Sequence, residues 1–198
     1  MIVYDFDKTV FRRESSFLFY SFCARRHPRL LLHLPRIALY GLLARLGRCD
    51  LKCFKEEFHR YLASLKDTED LLRRFWDRYE KHVPAWLPPL LPRGGLVISA
   101  SPEFLVKGLC SRLGLEVMGT RMDIRSGRIR GENCRGPEKP LRFREKYPDE
   151  TVEVFYSDSL ADSPMAALAG EAWLVKGDRL SPWPREAPEK RPDRDRNR

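Results

Sequence analysis

The sequence predicts an α/β protein, a parallel sheet flanked by helices with an all-helical segment inserted after the first strand. Three observations lead there. Apolar runs at residues 1–4, 96–98 and 152–156 have the length and the β-branched or aromatic content of buried parallel strands. Each run breaks into polar, reactive groups: Asp5 and Asp7, Ser99, and Asp158 and Asp162. Between the first two runs, Phe11 to about Pro92 carries apolar residues at helical spacing. In such a layout ligands bind beyond the carboxyl ends of the strands.

The opening Met1-Ile2-Val3-Tyr4-Asp5-Phe6-Asp7-Lys8-Thr9 is the stretch the rest serves. In extended backbone residues two apart project to one side, so Asp5 and Asp7 face one place while Phe6 turns into the core. Two carboxylates so aimed can bind a divalent cation, exchange protons, or divide attack and proton transfer between them. Taken alone, the same string also reads as a strand end followed by a polar turn.

The insertion follows. One helical segment begins at Phe17, Leu18 and Tyr20; the apolar run at residues 29–46 forms another, Phe54, Phe58, Tyr61 and Leu62 a third, and Leu71, Phe75, Trp76 and Tyr79 a fourth. Asp67 and Thr68 offer a cap to a helix over 69–82, and Pro84, Pro88, Pro89 and Pro92 return the chain to the core as stiff extended backbone. The run at 29–46 contains His33, Pro35, Arg36 and Arg45. A central arginine costs about 2.5 to 3.5 kcal/mol on insertion scales, which argues against a membrane span. An interfacial role stays open.

The second strand ends at Ser99-Ala100-Ser101-Pro102-Glu103, where a helix is expected, with Ser101 as N-cap and Pro102 in its first turn. Free amides beside serine hydroxyls make an anion seat; the plainer reading is a capped helix. Residues 117–122 and 128–130 read as a small hairpin around Arg125-Ser126-Gly127. Lys139 lies between Pro137 and Pro140 and, read alone, is a solvated lysine. After the strand at 152–156 come a short helix at 165–169 and a last strand at 172–176. From Gly177 the chain is proline-rich and charge-mixed, and residues 181–198 are expected to be a mobile tail.

Net charge is +9, and residues 15–49 contain six arginines and no acid. Such a surface suits anionic lipid or a phosphorylated metabolite. No zinc finger, RRM signature or interleaving of aromatic and basic residues occurs, so nucleic acid is not an expected partner. The five cysteines, Cys23, Cys49, Cys53, Cys110 and Cys134, lack the close pairing of a zinc site or disulfide framework. With no secretory signal expected either, a reducing cytoplasm fits, with peripheral contact at the inner membrane face left open.

Together, Asp5-x-Asp7-x-Thr9, Ser99, Lys139 and Asp158-x-x-x-Asp162 resemble the phosphatases of the haloacid dehalogenase superfamily over residues 1 to about 176. The helical insertion and the strings SASPE and YSDSLADSP are most similar to the subgroup that includes phosphoserine phosphatase and phosphatidylglycerophosphatase. The resemblance implies a Rossmann-like core from residues 1–12 plus 93–176, a helical cap at 13–92 and a tail at 177–198. It implies Asp5 as nucleophile, forming an aspartyl-phosphate, and Asp7 as general acid and then base. It implies magnesium held by Asp5, the main-chain carbonyl of Asp7 and Asp158, with Asp162 supporting the metal site and Lys139. Thr9 would order the loop, and Ser99, Ala100 and Ser101 would seat the phosphate. Glu14, nine residues after Asp5, stands where phosphoserine phosphatases have a glutamate near the substrate amine; it also lies at the hinge into the insertion. Ser157 replaces a glycine common in relatives, and Lys8 a small residue.

These roles are chemically consistent. A dianionic phosphate is repelled by four acids unless a metal and Lys139 take up charge. The expected activity is phosphomonoester hydrolysis on a lipid-linked or amphiphilic substrate, the alternatives being a small soluble metabolite such as phosphoserine, or a retired scaffold that keeps the fold.

Overall fold

The computed structural model describes residues 1–184. Its six strands are β1 (Ile2–Tyr4), β2 (Leu96–Pro102), β3 (Glu116–Thr120), β4 (Val152–Ser157), β5 (Ala169–Lys176) and β6 (Arg179–Pro182), in the order β3-β2-β1-β4-β5-β6. All neighbours are parallel except β5 and β6. The helices are α1 (Ser15–Arg26), α2 (Leu34–Arg45), α3 (Leu51–His59), α4 (Thr68–Tyr79), α5 (Glu103–Arg112), α6 (Glu138–Lys146) and the single turn α7 (Ser163–Ala166). The predicted α/β class, with helical material between the first and second strands, is what the chain adopts.

Alternation along the central strands divides the core. Ile2, Tyr4 and Val97 join one apolar cluster, which continues into α1, α4 and α5; Val3, Leu96, Ile98 and Phe155 join the other, with Phe143 and Met165. Strand β1 lies between β2 and β4, with Tyr4 beside both Val97 and Tyr156. That register brings the ends of three strands to one edge, and the Asp5 N–H donates to the Tyr156 carbonyl at 2.8 Å.

The helical segment is anchored through Trp76 of α4, which is buried edge-on against Phe6 and Phe11 and donates from Nε1 to the Leu105 carbonyl at 2.8 Å. Phe6, turned into the core as expected, thereby links the first loop to the insertion. Gly108 makes the contact between α4 and α5 possible, because a Cβ there would stand 2.4 Å from Trp76 Cδ1.

Several local expectations are corrected. The apolar run at 29–46 is two elements, a 3-10 segment Pro28–His33 and then α2, because Pro35 suits the first turn of a helix and not its interior. Pro88–Arg93 is a 3-10 helix, not extended chain; proline φ serves either state. Asp67 makes no capping hydrogen bond, whereas Asp50 caps α3 by accepting from Cys53 N–H at 2.7 Å. Ser101 caps nothing, since β2 runs to Pro102 and its hydroxyl is committed elsewhere. The expected hairpin is mostly a parallel strand, β3 against β2; only Met122 and Ile129 bridge across the turn. The long-range ladder satisfies more backbone than a local hairpin would. Residues 179–182, expected within the tail, pair with β5, while the rest of that tail, 185–198, lies outside the described residues.

Replacing Gly108 with Ala should lower stability by about 1 to 3 kcal/mol through overpacking against Trp76, measurable as a reduced midpoint in urea unfolding.

Candidate active site

Asp5 follows β1 directly, but Asp7 sits in a tight turn closed by Phe11 N–H and Thr9 N–H on the Phe6 carbonyl, at 3.0 and 3.2 Å. The two acids therefore face one cavity through a turn, not through strand alternation, with Lys8 at φ 58° completing it. Thr9 is fully buried and its hydroxyl has no partner among the described residues, so it holds the turn through backbone and burial.

Lys139, in the first turn of α6, reaches back to the strand ends. Its Nζ donates to Asp5 Oδ1 and Asp162 Oδ2, both at 2.7 Å, and the residue is 1% exposed. It is thus a buried ammonium between two carboxylates. Ser157 donates to the same Asp162 oxygen at 2.7 Å, which gives the serine found in place of glycine a bracing role. Ser99 is buried within β2 and its hydroxyl accepts from Ser101 N–H at 3.0 Å, leaving its own proton for the cavity. The Ser101 hydroxyl donates to Asp7 Oδ2, and Ser15 N–H to Asp7 Oδ1 at 2.7 Å. Glu14 pairs with Lys8 at the rim.

All the residues expected from the sequence except Thr9 line one cavity of about 530 Å³: Asp5, Asp7, Glu14, Ser99, Ala100, Ser101, Lys139, Asp158 and Asp162. The amino-terminal and late acid pairs open on the same space. Sequence reasoning missed Ser15, which donates to Asp7, and in the cavity wall Lys55, His59, Arg135 and three phenylalanines, Phe17, Phe54 and Phe58. Phe54, Lys55, Phe58 and His59 form one face of α3 by their spacing of three and four; two polar residues interrupting an otherwise apolar stripe were the available signal. Lys55 Nζ donates to the Ala100 carbonyl and to Asn133 Oδ1, both at 2.5 Å, tying α3 to the end of β2. The Thr120 hydroxyl joins the same cluster, 2.6 Å from the Ala100 carbonyl.

Electrostatics follow from burial. Asp5 is pushed up to about 7, chiefly by desolvation, against the pull of Lys139. Asp7 is also raised by desolvation, opposed by Ser101 and Ser15, and so is inclined to hold a proton. Burial works to lower Lys139, but Asp5 and Asp162 more than offset it, and it stays charged. Burial brings Lys55 down to about 8, against the Asp7 carboxylate, which works to raise it.

Asp5 and Asp158 present carboxylate oxygens to the cavity, hard donors suited to magnesium. The Asp158 carboxylate has no hydrogen-bond partner among the described residues, and Asp5 has an oxygen not engaged by Lys139. No three His, Cys, Asp or Glu side chains form a ready cage among the described residues.

Carboxylates on adjacent parallel strand ends, around a buried lysine and a serine anion seat, define a hydrolase-type α/β site. The chain belongs to the haloacid dehalogenase-like hydrolases, whose family model matches residues 2–167. It is 34% identical over 83 residues to Protein CicA of Caulobacter vibrioides, covering 38% of this chain and 37% of that one. It is 37% identical over 99 residues to a probable phosphatase of Mycobacterium tuberculosis, covering 46% of this chain and 34% of that one. The matches therefore span little more than a third of these relatives' length. A Bordetella pertussis protein of unknown function shares the fold, with TM-score 0.71, 18% identity and 87% of each chain covered.

Because Asp5 titrates from 3.8 unfolded to about 7 folded, its stabilising share is full below 3.8 and lost as pH rises through 7. Whatever its sign at pH 4, the stability of Asp5→Asn relative to wild type should therefore rise between pH 4 and pH 8 in chelator, read by thermal unfolding; a pH-independent difference would refute the assignment.

Proposed function

We propose that the chain is a magnesium-dependent phosphomonoesterase working through an aspartyl-phosphate on Asp5. The observation that carries the reading is the buried bridge from Lys139 to Asp5 and Asp162, with Asp7 and Ser99 on the same cavity. Asp5 attacks phosphorus in line with the leaving oxygen. Lys139 and the Ser99 hydroxyl take up charge on the transferring group. Asp7, inclined by burial toward its protonated form, delivers a proton to the departing alcohol; its carboxylate then takes a proton from the water that cleaves the acyl phosphate, restoring both acids. Magnesium, held by Asp5, Asp158 and the Asp7 carbonyl, would supply charge neutralisation for the phosphoryl oxygens.

The substrate reading is a lipid-linked or amphiphilic phosphate. Phe17, Phe54 and Phe58 give the cavity an apolar wall, and Phe17 is 63% exposed at its edge. Glu14 is engaged by Lys8, which weakens the case for an amine-bearing metabolite such as phosphoserine. A peripheral contact between the basic insertion and the cytoplasmic face of a membrane belongs with the amphiphilic reading; no helix among the described residues is long and apolar enough to cross one. The retired-scaffold alternative is disfavoured because each chemical position holds a competent residue.

Hydrolysis of p-nitrophenyl phosphate should require magnesium and vanish in Asp5→Asn, while Ser99→Ala and Lys139→Ala should each lose about 10² to 10³ in kcat. Equal rates for wild type and Asp5→Asn would establish the scaffold. Phosphate release from vesicle-borne over soluble esters would support the amphiphilic substrate; the reverse preference would favour the metabolite.

A further inference from the structure

The first half of the insertion leaves an unusual surface uncovered. Helix α2 has no buried residue. Its inner side, Ile37, Tyr40 and Gly41, rests half-buried on α3, with the Phe54 ring 3.5 Å from where a Gly41 Cβ would stand. Its outer side, at positions 35, 38, 39, 42 and 46, repeats every three or four residues and is apolar throughout. Leu39, Leu42 and Leu46 are 53%, 54% and 60% exposed, and Leu31, Leu32 and Leu34 just before them are 49%, 81% and 43% exposed. Water-facing monomers rarely leave so many contiguous large apolar side chains bare.

Beside this stripe lies a second cavity, of about 1030 Å³, between the Pro28–His33 segment and the start of α4. Arg26, Arg29, Lys66 and Arg74 line it, with Asp67 and Asp70 as its acids. Asp70 is already engaged by Arg73 and Arg74, so the cavity is left cationic. Leu32 lines the same cavity and so joins it to the apolar stripe.

We propose that this face docks on an anionic phospholipid bilayer, α2 lying in the interface with its leucines among the acyl chains and the adjoining cavity taking a headgroup phosphate. Charge selects the occupant. With six arginines and no acid over residues 15–49, a second copy of the same face would meet like charge. An anionic lipid surface offers both the apolar and the negative component in one plane, and long arginine stems can lie along the leucines while their heads reach the phosphates. The inference deepens the amphiphilic-substrate reading: α3 separates α2 from the active-site cavity by a single helix layer, and Phe54 touches both. The docking itself stands apart from the chemistry.

The test is flotation with phosphatidylcholine vesicles, with and without phosphatidylglycerol, at low and high salt. Wild type should float with the anionic vesicles and be released by salt. Leu39→Glu with Leu42→Glu, and separately Arg29→Glu with Lys66→Glu, should each cut the bound fraction about tenfold or more. These side chains are exposed, so unchanged melting temperatures would show that folding is not the cause. Absence of wild-type binding, equal binding by the variants, or a dimer abolished by the leucine changes would overturn the proposal. Wild-type turnover of nitrophenyl phosphate in free solution tests the catalytic reading separately, so retained turnover without vesicle binding removes only this surface.

Discussion

A single buried ammonium organises the edge of the sheet that faces the cavity. Lys139 is withdrawn from water, which no lysine tolerates without compensation, and the compensation comes from Asp5 and Asp162. Those two carboxylates belong to loops after neighbouring strands, so one side chain from α6 ties β1, β4 and the sheet edge into a fixed arrangement. Removing any of the three would leave a buried charge without its partner. Ser157 extends the brace by donating to Asp162, so Asp162 is held from two directions while Asp5 keeps an oxygen facing the cavity.

Asp7 and Asp158 stand outside this neutralised triad. Asp7 is desolvated, which inclines it toward the protonated form, while donation from Ser101 and Ser15 pulls the other way and fixes its orientation. Among the described residues Asp158 has no counter-charge in direct contact, the kind of group a divalent cation completes. Acids of similar sequence context thus acquire different chemistry from their neighbours alone, as general acid–base catalysis requires.

The helical insertion is built into the core as much as laid over it. Trp76 joins it to Phe6 and Phe11 beneath the first loop, while Lys55 of α3 fastens onto the end of β2 through the Ala100 carbonyl. Phe54 of α3 both lines the cavity and meets α2, so one side chain of one short helix joins the two. Whatever rests on α2 is therefore mechanically close to the substrate wall, which is the physical basis for linking the surface to the site.

Strand runs ending in Asp5, Ser99 and Asp158, and the helical periodicity between the first two, were legible because period and composition are local properties of a chain. The acids and lysine that the resemblance singles out do converge on one cavity, their order along the chain being what carries the resemblance. Local reading failed where long-range partners decided the outcome. Residues 117–120 joined β2 instead of a hairpin, residues 179–182 found β5, and Ser101 gave up a capping role for the Asp7 carboxylate. Lys55, His59 and Ser15 entered the site only because folding brought α1 and α3 against the strand ends. The sequence by itself determined which groups are available and which segments are strand or helix. Tertiary structure alone decided which charges are buried together, because desolvation and pairing depend on neighbours that lie scores of residues apart in the chain.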